Sequence, residues 1–69
     1  MKLSARNRLR GKVVEVKKGQ TTAHVRIDVN GTIVTAAITN DAVDDLKLEV
    51  GQDAYAIVKA SDVMIGIDA

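Results

Sequence analysis

The stretch from Thr22 to Thr39 limits the possible folds more than any other part of this chain. From Thr22 to Asn30 the residues alternate strictly. Ala23, Val25, Ile27 and Val29 fall on one side, and Thr22, His24, Arg26, Asp28 and Asn30 on the other. A period of two puts the apolar set on a core and the polar set in water, which is the pattern of a half-buried strand. Asn30-Gly31 follows directly. A type I′ turn needs positive φ at both central residues, which Asn and Gly tolerate, so a hairpin is expected there. Thr32 to Thr39 is then the returning strand. It alternates less, with Ile33, Val34, Ala36, Ala37 and Ile38, so both its faces are expected to be covered, one of them by an interface.

The flanking residues extend this β pattern. Gly11 to Lys18 reads as a strand with Val14 and Val16 on one face and Val13, Glu15 and Lys17 on the other. Lys18-Gly19-Gln20 turns the chain. Thr39-Asn40-Asp41 reads as a helix start: Thr39 or Asn40 can cap the first free N–H groups, and Asp41 complements the positive end of the helix. Ala42, Val43 and Leu46 form a short apolar stripe, and the helix stops before Gly51. A strand from Ala54 to Val58, a corner at Ala60-Ser61-Asp62 and a last strand from Val63 to Ile67 complete the order. A helix between the third and fourth of five strands is the arrangement of the OB-fold. The expected class is therefore all-β, a five-stranded Greek-key barrel with one short helix between strands 3 and 4.

Sixty-nine residues make a single domain spanning 1–69. A chain of this size buries only about 60% of its unfolded surface. It has no Cys, Pro, Phe or Trp, and Tyr55 is its one aromatic. No disulfide, thiolate metal site or thiol nucleophile is available to it. A small aliphatic core of this kind commonly needs an added source of stability, and oligomerisation is the available one. Ten basic and nine acidic residues give a net charge of +1, whereas a general polyanion binder shows a basic excess. There is no apolar run of membrane-spanning length and no signal-peptide pattern, so the expectation is a soluble cytoplasmic protein with no membrane association.

Two segments stand out for their donors. Ser4-Ala5-Arg6-Asn7 and Lys59-Ala60-Ser61 each combine one cation, one hydroxyl and several backbone N–H groups. Arg6 offers a planar fork of donors, Lys59 a compact charge, and Ser4 and Ser61 directional hydroxyls. Backbone N–H groups beside Ala5 and Ala60 can close on an anion without side-chain obstruction. Such a set suits an oxyanion, although an Arg near a terminus and a Lys at a strand end are ordinarily just solvated. The other chemistry-bearing residues read as structural. His24 lies on the polar face of a strand, Tyr55 packs with its hydroxyl at the rim, and Asp41, Asp44 and Asp45 solvate a helix face. No nucleophile–base pair, phosphate loop or paired buried carboxylates appear, so no enzyme, cofactor or protein-ligated metal ion is expected.

Ser4-Ala5-Arg6-Asn7 with Leu9 and Gly11, then Ala36-Ala37-Ile38-Thr39, Leu48-Glu49-Val50-Gly51 and Lys59-Ala60-Ser61-Asp62-Val63-Met64, resembles the molbindin (Mop) family along essentially the whole chain. Those are small molybdate-binding proteins. Their module, called the TOBE domain, is also fused to molybdate-responsive regulators and transporter ATPases. The resemblance implies the OB-fold and a hexamer built as a trimer of dimers, with two kinds of molybdate or tungstate site at subunit interfaces. Carried across, one kind uses Ser4, Ala5, Arg6, Asn7, Lys59, Ala60 and Ser61. The other lies on the three-fold axis, is made largely by backbone N–H groups, and falls near Gly19, Gln20, Thr21, Thr22 and Ala23.

The implied function is intracellular molybdenum storage and homeostasis. Two alternatives share the fold. An OB-fold module for single-stranded nucleic acid needs a basic groove and stacking aromatics, and a lone Tyr55 counts against it. A detached regulatory module of a molybdate transporter shares the ligand site and differs only in context.

Overall fold

The computed structural model describes residues 1–68 and contains strands β1 (Asn7–Lys18), β2 (Thr22–Val29) and β3 (Thr32–Thr39), helix α1 (Asn40–Leu46) and strand β4 (Asp53–Val58), followed by a 3₁₀ turn at Ala60–Asp62. The strands form one antiparallel sheet in the order β3-β2-β1-β4. Asn30 and Gly31 take φ of 50° and 92°, and the Gly31 N–H donates to Asp28 Oδ1 at 2.7 Å. The β2–β3 ladder then runs without a register shift from Val29↔Thr32 to Thr22↔Thr39.

Val13, Ala23, Val25, Ile27 and Val43 are buried, with Val16, Val29, Ile38, Leu48, Ala54 and Ala56 packed around them. The alternation of β2 therefore holds. That of β1 does not. The ladder passes from Val13↔Ile27 to Glu15↔Arg26, so Val14 is an inserted residue. The bulge puts Val13 and Val16 on the core side and leaves Val14 exposed, correcting the pairing of Val14 with Val16. Gly11 lies where β1 runs tight against β2. A Cβ there would stand 2.5 Å from both the Asp28 carbonyl oxygen and Ile27 Cγ2, so the backbones approach as only glycine permits.

Thr39 is the helix cap, its Oγ1 accepting from the Ala42 N–H at 3.0 Å. Of the expected apolar stripe Val43 is buried, while Leu46 lies mostly in water. On β3, Val34, Ala36 and Ile38 face inward, whereas Ile33 and Ala37 are exposed on the outer face.

The expected fifth strand is not formed. Among the described residues, 63–68 pair with no strand, and the sheet has four strands with free edges on β3 and β4. After β4 the chain enters the 3₁₀ turn, held by Asp62 N–H to Lys59 O at 2.9 Å and Val63 N–H to Ala60 O at 3.3 Å. It leaves that turn into solvent: Met64, Ile65 and Ile67 are 92%, 88% and 89% exposed. Between the two free edges lies an apolar groove of about 550 Å³, with Val13, Val25 and Ile27 among its lining and Ala36, Ala54 and Ala56 on the flanking strands.

Candidate functional site

Asn7 opens β1 and Val58 closes β4, and the two are in register across the ladder. The Asn7 side-chain amide also donates to the Val58 carbonyl at 3.1 Å. Arg6 and Lys59 are the residues immediately outside this pair, so the two donor segments meet at one corner of the sheet. Ala5 is half-buried, while Ser4, Arg6, Lys59, Ala60 and Ser61 are exposed. Lys59 is extended (φ −66°, ψ 141°) and leads into the 3₁₀ turn without a side-chain capping bond.

Charge is distributed unevenly along β1. Arg10 and Lys12 both reach Asp53, each at 3.3 Å. Hydrogen bonds from Lys12 and then Arg10, with their positive charge, hold the Asp53 carboxyl below its ordinary value. Further along, Lys18 pairs with Asp44, and Arg26 with Glu15 at 3.7 Å. Among the described residues no such partner serves Arg6, Arg8 or Lys59. The middle of the sheet is thus neutralised, and the corner where β1 begins and β4 ends is left cationic. Lys2, Ala5, Arg6 and Arg8 line a cleft of about 300 Å³ there. Cations, hydroxyls and backbone N–H groups can hold a small oxyanion by charge-assisted hydrogen bonds, and the one acid of the adjoining 3₁₀ turn is Asp62. Arg8 is not among the donors picked out from the sequence, yet it lines this cleft with Arg6. Their spacing of two along an extended segment was the signal that they belong to one face.

The Gly19–Ala23 segment is a tight connection between β1 and β2. The Gly19 N–H donates to Thr22 O at 2.8 Å, so that donor is already engaged, and Ala23 is buried in the core. Gln20, Thr21 and Thr22 are exposed. Asn40 ties this turn to α1: its N–H donates to Thr21 O at 2.8 Å and its side-chain amide to Gly19 O at 3.0 Å. Asn40 Oδ1 is buried without a partner. The sequence left the helix cap open between Thr39 and Asn40, and nothing in the local pattern signals this bracing role of Asn40. His24 and Tyr55 are exposed. Among the described residues no group of three or more His, Cys, Asp or Glu side chains could hold a metal ion.

The model of the TOBE domain matches residues 3–65, nearly the whole chain.

The chain belongs to the TOBE-domain family.

Some of its relatives are short proteins of the same extent. It is 48% identical over 69 residues to a probable molybdenum-pterin-binding protein of Haemophilus influenzae, covering 99% of this chain and 100% of that one. It is 47% identical over 66 residues to molybdenum-pterin-binding protein 3 of Clostridium pasteurianum, covering 94% and 97%. Among solved structures, a molybdate-binding protein from Sporomusa ovata superposes with a TM-score of 0.93 at 42% identity, covering 97% of this chain and 100% of that one. The cytoplasmic molybdate-binding protein ModG, solved with molybdate bound, superposes with a TM-score of 0.92 at 39% identity, and this TOBE chain spans 49% of its length. The resemblance to the molbindins read from Ser4–Asn7 and Lys59–Met64 is therefore one of shared family.

Proposed function

We propose that this chain binds molybdate or tungstate as an intracellular storage and homeostasis protein and catalyses no reaction. The observation that carries the reading is the Asn7–Val58 pair. It brings Ser4, Ala5, Arg6 and Asn7 to the same corner as Lys59, Ala60 and Ser61, with Arg6 and Lys59 unpaired among the described residues. A tetrahedral dianion supplies the countercharge this corner lacks. The working form is a hexamer, a trimer of dimers, in which the sheet closes into a five-stranded barrel and the anion is enclosed at subunit interfaces. A second anion position lies at the Gly19–Ala23 turn. The free sheet edges and the open groove support assembly of this kind, because a single copy leaves both unsatisfied. The molybdate-binding relatives and cytoplasmic ModG support the ligand and the compartment.

Calorimetric titration tests the reading. Saturable uptake of molybdate is expected, with weak competition by sulfate and no binding of a single-stranded oligonucleotide. Tight oligonucleotide binding with no response to molybdate contradicts it.

A further inference from the structure

We infer that the side chain of Asn40 is a positioning residue for the anion site at the Gly19–Ala23 turn: by taking the Gly19 carbonyl, it keeps the Thr22 N–H free to donate. The inference rests on the second anion position proposed above, and part of its test reads the turn with no anion present.

Lys18 pairs with Ala23 across β1 and β2. The next rung therefore sets Gly19 opposite Thr22, closed by the two-residue loop Gln20-Thr21. The closing rung of such a hairpin ordinarily carries two bonds, each residue donating to the carbonyl of the other. Here only one is made. The Gly19 N–H donates to Thr22 O at 2.8 Å, while Gly19 O accepts from Asn40 Nδ2 at 3.0 Å. The Thr22 N–H is left without a partner among the described residues, as are the Gln20 and Thr21 N–H groups of the loop. Asn40 also donates its own N–H to Thr21 O at 2.8 Å. A trans peptide holds its C=O and N–H antiparallel, so tying Gly19 O and Thr21 O to Asn40 turns the Gln20 and Thr22 N–H groups away from it. Two backbone donors on one side of the turn, with the exposed Thr21 and Thr22 beside them, suit an oxyanion.

The other half of the amide weighs against a purely structural role. Asn40 Oδ1 is buried without a partner, and an unmet buried acceptor opposes folding. Turning the amide over would set that oxygen against Gly19 O, so the bond to Gly19 fixes the orientation and leaves Oδ1 unmet. Leucine or alanine at this position would remove the unmet acceptor and keep the backbone bond from residue 40 to Thr21 O. Gly19 O would then be released to close the rung on the Thr22 N–H, and the turn would lose a donor. A polar side chain kept at a cost to folding points to a function.

The test is NMR on isotopically labelled full-length protein, first without anion. Asn40→Leu should slow hydrogen exchange of the Thr22 amide by about tenfold, the effect of one added hydrogen bond, and leave the core amide of Val25 unchanged. Asn40→Ala, which adds no bulk, should do the same. With molybdate added, the Gln20 and Thr22 amide resonances should move in wild type and stay still in both variants, while those of Arg6 and Ser61 move in every case. Thr22 exchange that is unchanged in both variants, or that quickens together with Val25 as the loss of a structural brace would cause, overturns the inference. So do variants whose turn answers molybdate as wild type does. If molybdate leaves Gln20 and Thr22 still in wild type while Arg6 moves, the second anion position itself fails and the inference falls with it.

Discussion

The side-chain amide of Asn7 donates to the carbonyl of Val58 at 3.1 Å, at the same rung where the two residues pair across β1 and β4. That double attachment pins the first residue of one strand to the last residue of another, 51 positions away in the chain. Everything proposed for Arg6 and Lys59 depends on it. Asn7→Ala should lower stability by about 0.5–1.5 kcal/mol, the net worth of one hydrogen bond. It should also weaken molybdate binding, because the two cations lose their common anchor. Denaturant melts and calorimetry on the same variant measure both effects.

Lys59 separates binding from assembly. Arg6 and Arg8 at the start of β1 and Lys59 at the end of β4 have no acidic partner among the described residues, and like charges gathered at one corner repel unless an anion offsets them. Lys59→Met keeps most of the apolar stem and removes the charge. Molybdate binding should weaken by about 1.5–3 kcal/mol, the range for a hydrogen bond to a charged group. The empty protein should be no less stable than wild type. Thermal melts with and without molybdate, at one protein concentration, read both quantities. A variant that loses stability when empty and keeps the full ligand-induced shift would make Lys59 structural.

Gly11→Ala should cost about 1–3 kcal/mol, as overpacking does. The added Cβ meets a backbone carbonyl of β2, which cannot rotate away as a flexible side chain would. Ligand-free denaturant melts check this. A neutral effect would show that β1 and β2 can separate at this point without loss.

Asp53 makes a pH-dependent contribution of known sign. Its carboxyl titrates below the ordinary 3.8, through its bonds to Lys12 and Arg10. The group binds a proton more readily unfolded than folded, so its stabilisation is present above about pH 3.8 and is lost as pH falls through the folded value. The pair is exposed, so the effect is small and screened by salt. Asp53→Asn should be slightly less stable than wild type at neutral pH and low salt, and the difference should vanish in acid. A difference that grows on acidification would contradict the assignment.

The hairpin at Asn30-Gly31 and the core face of β2 were legible in the sequence because each is a local pattern with one physical solution, and the helix start was legible too, with Thr39 and Asn40 both open as its cap. The bulge at Val14 was not. An inserted residue breaks the alternation without leaving a turn signal, and two adjacent valines offer the core equally good choices. The strand expected at Val63–Ile67 is not formed, because an alternating pattern becomes a strand only where it meets a sheet edge, and that depends on the direction in which the chain leaves the 3₁₀ turn at Ala60–Asp62. That direction is set by backbone bonds rather than by residue type. At the candidate site, residue type identified Arg6 and Lys59. Their meeting at one corner, and the neutralisation of Arg10 and Lys12 by Asp53, required the β1–β4 register.

The central claim is that Ser4–Asn7 and Lys59–Ser61 hold an oxyanion. Molybdenum scatters anomalously, so crystals grown with molybdate test it directly through an anomalous difference map. The account predicts a strong peak within hydrogen-bond distance of donors from both segments, lost in crystals of Lys59→Met. A map with no peak at that corner, in crystals whose molybdenum lies elsewhere or does not bind, would contradict it.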